Sequence, residues 1–317
     1  MALSKIDRVL ALLDGEGKQV ETPAAFFLHF GGEYRSGQAA IRRHREFFEF
    51  TGMDIVKIQL EVPWPKFEVK EVSDWARFPK IGSETWGSQV EVVHGLVDAL
   101  GKEAIVIVTL YSPLMVANDI GGRERLRNDL STHGSEAEHA LESTAEALRE
   151  FVRACLTAGV DGFYASTQGA EVSRFESAEV FERHVKPFDL ALMSEFAAKS
   201  RFSILHICDY HRDEYGEYRD LALFADYPCQ VVSASPRMGG RTWTAQEVSD
   251  AMGGRPFFGG IDRLGPLATG SVEDARRAAQ DALNGASTRF MLGAECTVPG
   301  NTPWENLRAA IEVAHSR

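Results

Sequence analysis

Residues 104–110 read AIVIVTL. A sheet with one wet face alternates apolar and polar side chains, whereas this run carries no charge and is rich in β-branched Val and Ile. It therefore predicts a strand buried on both faces. Such strands belong to parallel sheets, whose neighbours need a crossover helix between them. Outward from it, comparable runs lie at AAFFLHF (24–30), IVKIQL (55–60), GFYAST (162–167), FSILHIC (202–208), QVVSAS (230–235), FFGGID (257–262) and FMLGAEC (290–296). Each reads as a short apolar strand followed by a stretch able to hold a helix. Eight strand–helix units within 317 residues predict an α/β fold, a (β/α)8 TIM barrel forming a single domain over 1–317. An open doubly wound sheet also alternates, but the first strand here runs into HFGGEYR (29–35) instead of a GxGxxG turn.

The flanking segments add detail. An extra N-terminal helix is predicted over Ser4–Leu13, with Ile6, Val9, Leu10 and Leu13 on one face and Ser4 and Asp7 spaced as a capping box. Two stretches read as long loops on the catalytic face. Glu61–Ser88 follows strand two and carries Trp64, Trp75 and Trp86, and Tyr111–Gly134 follows strand three. Both suit lids over the barrel mouth.

Composition narrows the partners. The 34 basic against 46 acidic residues leave a formal charge of −12, which repels phosphate backbones and anionic membranes, so nucleic acid is not expected as a partner. No apolar run approaches the roughly 18 residues of a membrane span, and no basic-then-apolar leader pattern opens the chain. A cytoplasmic protein is expected, and a barrel of this size is compatible with a homodimer. The 4 cysteines are too few and too scattered for a disulfide scaffold, which leaves them as free thiols or metal ligands.

The chemistry concentrates at two strand ends. In His206-Ile207-Cys208 the alternation of a strand sends both functional side chains the same way, as a chelating pair. Cys296 ends the eighth strand, and active sites of such barrels sit at the C-terminal strand ends. Any one of these residues alone reads as core packing; their joint placement points to metal. Two thiolates and an imidazole leave a tetrahedral zinc ion one open position, the arrangement of a catalytic site, and Glu171 after strand four is positioned to fill it at rest. Zinc with an open position either makes hydroxide or holds a substrate thiol as thiolate. Cysteine-rich ligation favours the second, because donated charge keeps the bound sulfur nucleophilic. Tyr111, Tyr164, Glu171 and Asp262 stand at or after strand ends as candidate substrate contacts. Cys155 and Cys229 read as packing, His44, His94 and His184 as structural, and Gly239-Gly240 and Gly253-Gly254 as turns, with Arg241 a weak anion-binding candidate.

The C-terminal GAECTVPGNTPWENLRAAIE, with Pro299, Thr302, Pro303, Glu305 and Asn306, resembles the closing strand, Pro-x-x-Thr-Pro turn and final helix of the uroporphyrinogen decarboxylase superfamily. VDGFYAS (160–166), LHIC (205–208) and FFGGID (257–262) fall in the matching order. The resemblance implies a (β/α)8 barrel. Where decarboxylases carry a motif resembling RQAGRY, this chain has HFGGEY, so His29 and Glu33 replace its arginines. Glu61 stands near the place of the essential aspartate, and Ala294-Glu295-Cys296 replaces Gly-His-Gly. These departures argue against decarboxylation. The His-x-Cys and distant Cys are similar to the zinc-dependent corrinoid:thiol methyltransferases of the superfamily, whose zinc ligands His206, Cys208 and Cys296 match. The resemblance implies zinc, a methylated corrinoid carried by a separate protein as donor, and a small thiol acceptor such as coenzyme M or homocysteine. A decarboxylase acting on a carboxylated tetrapyrrole, and a non-catalytic corrinoid-binding subunit, are the alternatives.

Overall fold

The computed structural model describes residues 3–14 and 21–316. The N-terminal helix α1 spans Lys5–Leu10 and is capped by Ser4, whose Oγ accepts from the Asp7 amide at 3.1 Å. It stops short of the predicted Leu13 because the chain tightens there: the Leu12 and Leu13 amides bond back only three residues, to Val9 and Leu10.

Next come α2 (Gly37–Thr51), β1 (Ile55–Ile58), α3 (Ser83–Leu100), β2 (Ile105–Tyr111), α4 (Pro113–Gly121), α5 (Arg123–Thr132) and α6 (Gly134–Thr157). The middle of the chain forms β3 (Gly162–Thr167), α7 (Ala178–His184), α8 (Lys186–Ala197), β4 (Ile204–Ile207), the short α9 (Arg212–Tyr215) and β5 (Val231–Ala234). A two-stranded hairpin, β6 (Arg237–Met238) and β7 (Arg241–Thr242), precedes α10 (Ala245–Ala251), β8 (Phe257–Ile261), α11 (Pro266–Thr269), α12 (Val272–Asn284), β9 (Phe290–Ala294) and α13 (Trp304–His315). Seven strands make one parallel sheet in the order β1-β2-β3-β4-β5-β8-β9. Every residue of β3 and all but the last of β2 are buried, as expected of strands covered on both faces. The fold is TIM-barrel-like. No helix among the described residues is long and apolar enough to cross a membrane.

The run at 24–30, predicted as the first strand, is not a regular one. Ala24 and Leu28 make isolated parallel bridges to Leu292 and Val298. Toward β1 the segment is held largely by side chains: the Ala24 amide donates to Asp54 Oδ2 at 2.8 Å, and Gln59 Nε2 donates to the Leu28 carbonyl at 2.7 Å. Side-chain partners on that flank take the place of a backbone ladder, while the segment still lies between the two ends of the curled sheet.

The stretch 111–134, read as a loop, is also different, because α4 and α5 fill most of it. Ser112 caps α4 and Pro113 opens it, a start signal that leaves little unstructured chain. The segment after β1 is long, as expected, although α3 begins at Ser83 and takes in Trp86. Trp75 is pinned by donating its indole N–H to Asp129 on α5 at 2.7 Å.

One buried carboxylate ties the ends of the chain together. Asp54 accepts from Arg8 of α1 at 2.5 Å, from the Ala24 amide, and from His315 of α13 at 2.8 Å. Removing one partner of a buried ion pair strands the other and typically costs about 3–5 kcal/mol. Asp54→Ala is expected to destabilise the fold by that order in urea unfolding, whereas a loss below about 1 kcal/mol would show that the three contacts are incidental.

Candidate metal centre

Strand β4 reads ILHI, so alternation turns His206 toward the sheet interior and Cys208, just past its end, the same way. Cys208 is held at both backbone ends: its amide donates to Thr167 O at 3.0 Å, and its carbonyl accepts from the Tyr218 hydroxyl at 2.7 Å. Cys296 follows β9 at the same end of the sheet. The structure brings one ligand atom each from His206, Cys208 and Cys296 within 4.8 Å of one another, all three residues buried.

His206 is oriented for donation. Its ring stacks on Tyr164 at 4.9 Å, and Nδ1 lies 3.3 Å from Ser233 Oγ. Nε2 is buried with no hydrogen-bond partner among the described residues. A buried polar atom without a partner is costly, and a nitrogen left that way beside two sulfurs is what a soft-metal donor set requires. The hydrogen bond with Cys296, and His206 beside it, pull Cys208 well below the ordinary thiol value despite burial, while that same bond and burial push Cys296 up.

The donors open into a cavity of about 390 Å³. Tyr111 and Tyr164, predicted substrate contacts, line it, and burial raises the pKa of both phenols. Glu61 sits beside the lining residue His29, which donates to it at 2.6 Å, with Arg35 3.6 Å away. Burial alone would raise the Glu61 carboxyl, but His29 and Arg35 bring it below its ordinary value. Asp262 lies half-exposed near Arg237, outside the cavity lining. Glu171 is not among the clustered donors. Its carboxylate is taken by Arg174 and by the Gly169 amide at 2.8 Å, so the position expected of a fourth ligand is not the one it holds. Arg241 is paired with Glu247 at 2.8 Å, and Gly239 and Gly240 adopt the positive φ of 60° and 76° that the β6–β7 turn needs.

Sequence reading missed Lys57. It is fully buried in β1, lines the cavity, and donates to Gln59 Oε1 at 2.9 Å and Thr109 Oγ1 at 3.1 Å. Its ammonium lies 4.7 Å from the Tyr164 ring centroid and 4.8 Å from that of Phe27. Burial lowers its pKa to about 7, against the opposing pull of Cys296, Glu61 and Cys208. The signal was present as the single charge inside the apolar run IVKIQL. Arg123, paired with Glu214 at 2.9 Å, and Arg263 also line the cavity, with Asp119 among the lining residues.

Three comparisons place this geometry among known proteins. The family model described as Uroporphyrinogen decarboxylase (URO-D) matches residues 47–317. The solved structure titled "methyltransferase from Methanosarcina mazei" is similar with a TM-score of 0.77 at 17% identity, covering 99% of each chain. A B12-independent methionine synthase from Shewanella sp. W3-18-1 is similar with a TM-score of 0.58 at 14% identity, covering 94% of this chain and 97% of its own. A search of curated proteins finds no match. At such identities the structural likeness speaks to the fold, while the family match spans most of the sequence, including all three clustered donors. The chain belongs to the uroporphyrinogen decarboxylase (URO-D) family.

Proposed function

We propose that this chain is a zinc-dependent methyltransferase that moves a methyl group from a methylated corrinoid to a small thiol, with His206, Cys208 and Cys296 holding the metal. The observation that carries the reading is the buried N,S,S cluster with its unpartnered imidazole nitrogen. The likeness in fold to a protein titled a methyltransferase is in keeping with it. Zinc bound there would supply the positive charge that keeps a substrate thiol ionised near neutral pH.

The chain's own residues supply the rest. A cavity of about 390 Å³ is at the small end of ligand pockets, which run to roughly 1,000 Å³, so it suits a small thiol and leaves the corrinoid to present its methyl group from the mouth. Lys57 and Arg263 in the lining favour an anionic acceptor. In the transfer the thiol loses its proton, sulfur takes the methyl group, and the bonding pair stays with the corrinoid. Tyr164, stacked on His206 and under the Lys57 ammonium, fixes the imidazole plane. Coenzyme M, homocysteine or another small thiol fits these terms, and a corrinoid carrier protein is the corresponding partner.

The direct test is metal content by plasma mass spectrometry on untagged protein, with Cys208→Ser and Cys296→Ser beside it. About one zinc per chain, lost in both variants, together with methyl transfer from methylcobalamin to a panel of thiols, is the expected result. A folded, metal-free parent that cannot be reconstituted with zinc would sink the reading and leave decarboxylation of a carboxylated tetrapyrrole as the reaction to assay.

Lys57 gives a second test, on metal-free protein. A lysine whose folded pKa is about 7 against 10.5 unfolded carries its full burial cost below about pH 7, and that cost is relieved as pH rises toward 10.5. The parent's stability relative to Lys57→Met is therefore expected to rise by about 1.4 kcal/mol per pH unit between roughly pH 7 and pH 10. The same variant is expected to lower methyl transfer about tenfold or more, through loss of the interior charge. A flat stability difference across that range would show that Lys57 keeps its ordinary pKa.

A further inference from the structure

We propose that Gln168, aimed by Arg174 and Glu171, is the residue that positions Cys208 as a thiolate donor and sets how tightly the cluster holds its metal. The inference rests on the metal reading above. Gln168 is buried directly after β3, and its Nε2 donates to Cys208 Sγ at 3.4 Å. Its Oε1 accepts from Arg174 Nη2 at 3.0 Å.

The direction of this contact follows from the arginine. A guanidinium has donors and no acceptor, so the amide oxygen has to face Arg174, and the NH₂ group is left for the sulfur. Arg174 cannot turn away. Its Nε and Nη2 donate to Glu171 Oε2 at 3.2 Å and Oε1 at 3.1 Å, and its guanidinium lies 3.9 Å from the Tyr215 ring centroid. Glu171 is fixed in turn by the Gly169 amide.

A row Glu171, Arg174, Gln168, Cys208 thus runs from a buried carboxylate to the sulfur, and each member leaves the next one orientation. A rigid donor at Sγ is satisfied by a thiolate or a metal-bound sulfur and conflicts with a sulfur that spends its own proton in that direction. Hydrogen bonds of this kind hold ligand atoms in place and tune their donor strength.

Packing alone does not account for the row. Burying an ion pair rarely stabilises a fold more than apolar side chains of the same volume would, and Arg174 Nη1 is buried here without a partner. The fold tolerates that orphan next to the amide that donates to the sulfur.

The test compares Gln168→Leu and Gln168→Glu in the full chain. The readouts are zinc affinity by competition with a chromophoric chelator, the sulfur-to-metal charge-transfer absorption of the cobalt(II)-substituted protein, and thermal unfolding as the check on folding. Gln168→Leu is expected to weaken zinc binding by about 10-fold and to shift the charge-transfer band. Gln168→Glu is expected to weaken it further, because a carboxylate paired with Arg174 turns its second oxygen on the sulfur. Should the Leu variant fail to fold, Gln168→Met removes the same donor at a similar side-chain length. A folded Leu or Met variant with zinc affinity within about 2-fold of the parent and an unmoved band overturns the proposal, as does a Glu variant that binds zinc as tightly as the parent. A parent that binds neither metal overturns the metal reading and this inference together, whereas a zinc-binding parent with indifferent Gln168 variants overturns this inference alone.

Discussion

The molecule has to keep two sulfurs and an imidazole nitrogen within 4.8 Å of one another while all three residues are buried. Isolated buried polar atoms cost stability, so such a cluster persists only if the surrounding structure fixes each donor before any ligand arrives. Parallel pairing does this for His206. It stands in register with Ser166 on β3 and Ser233 on β5, so one layer of the sheet interior is polar at the level of the imidazole. Tyr164, two residues before Ser166 and therefore on the same face, stacks on the ring. Cys208 is fixed by backbone bonds to Thr167 and Tyr218, and Cys296 by its place just past β9.

The same layering accounts for Lys57. Its strand starts the sheet, and its ammonium reaches Thr109, which pairs with Tyr164 across β2 and β3. Lys57 and His206 therefore touch the same phenol ring from neighbouring layers, and the ring is the physical link between the buried cation and the metal-type donors. Burying a lysine here costs stability, which is reasonable only where the interior must accept negative charge.

What was legible in the sequence was whatever periodicity or donor chemistry dictates locally. Unbroken apolar runs marked the parallel strands because burial on both faces leaves no polar positions, and His206-x-Cys208 marked the donors because strand alternation is rigid. The run at 24–30 was misleading for the same reason: it is apolar enough for a strand, but its pairing flank is met by the Asp54 and Gln59 side chains, a long-range fact absent from local pattern. The stretch 111–134 follows a strand as a loop would, but Ser112 and Pro113 are a helix start signal that opens two helices there. Glu171 reads in sequence as a resting fourth ligand or substrate contact, whereas its carboxylate pairs with Arg174, a contact that local pattern does not carry. Gln168 carries no charge and no metal-ligand chemistry, so only the three-dimensional contact with Cys208 exposes it.

The charge distribution completes the picture. The chain is strongly acidic overall, yet Lys57, Arg123 and Arg263 line the cavity into which the sulfur cluster opens. Outside the lining, Asp262 and Asp209 stand near Glu295, with Arg237 3.8 Å from it, and burial together with those acidic charges lifts its carboxyl to about 7. An acidic exterior disfavours large polyanions at a distance, whereas a cationic interior stabilises one small anion that is already inside, since field strength grows as water is excluded. Size and sign then act together. In the proposed reading, a small anion inside the cavity would meet Lys57 and Arg263 at its wall. The residues that fix the metal-type donors and the buried cation Lys57 therefore sit on separate strands, joined at Tyr164.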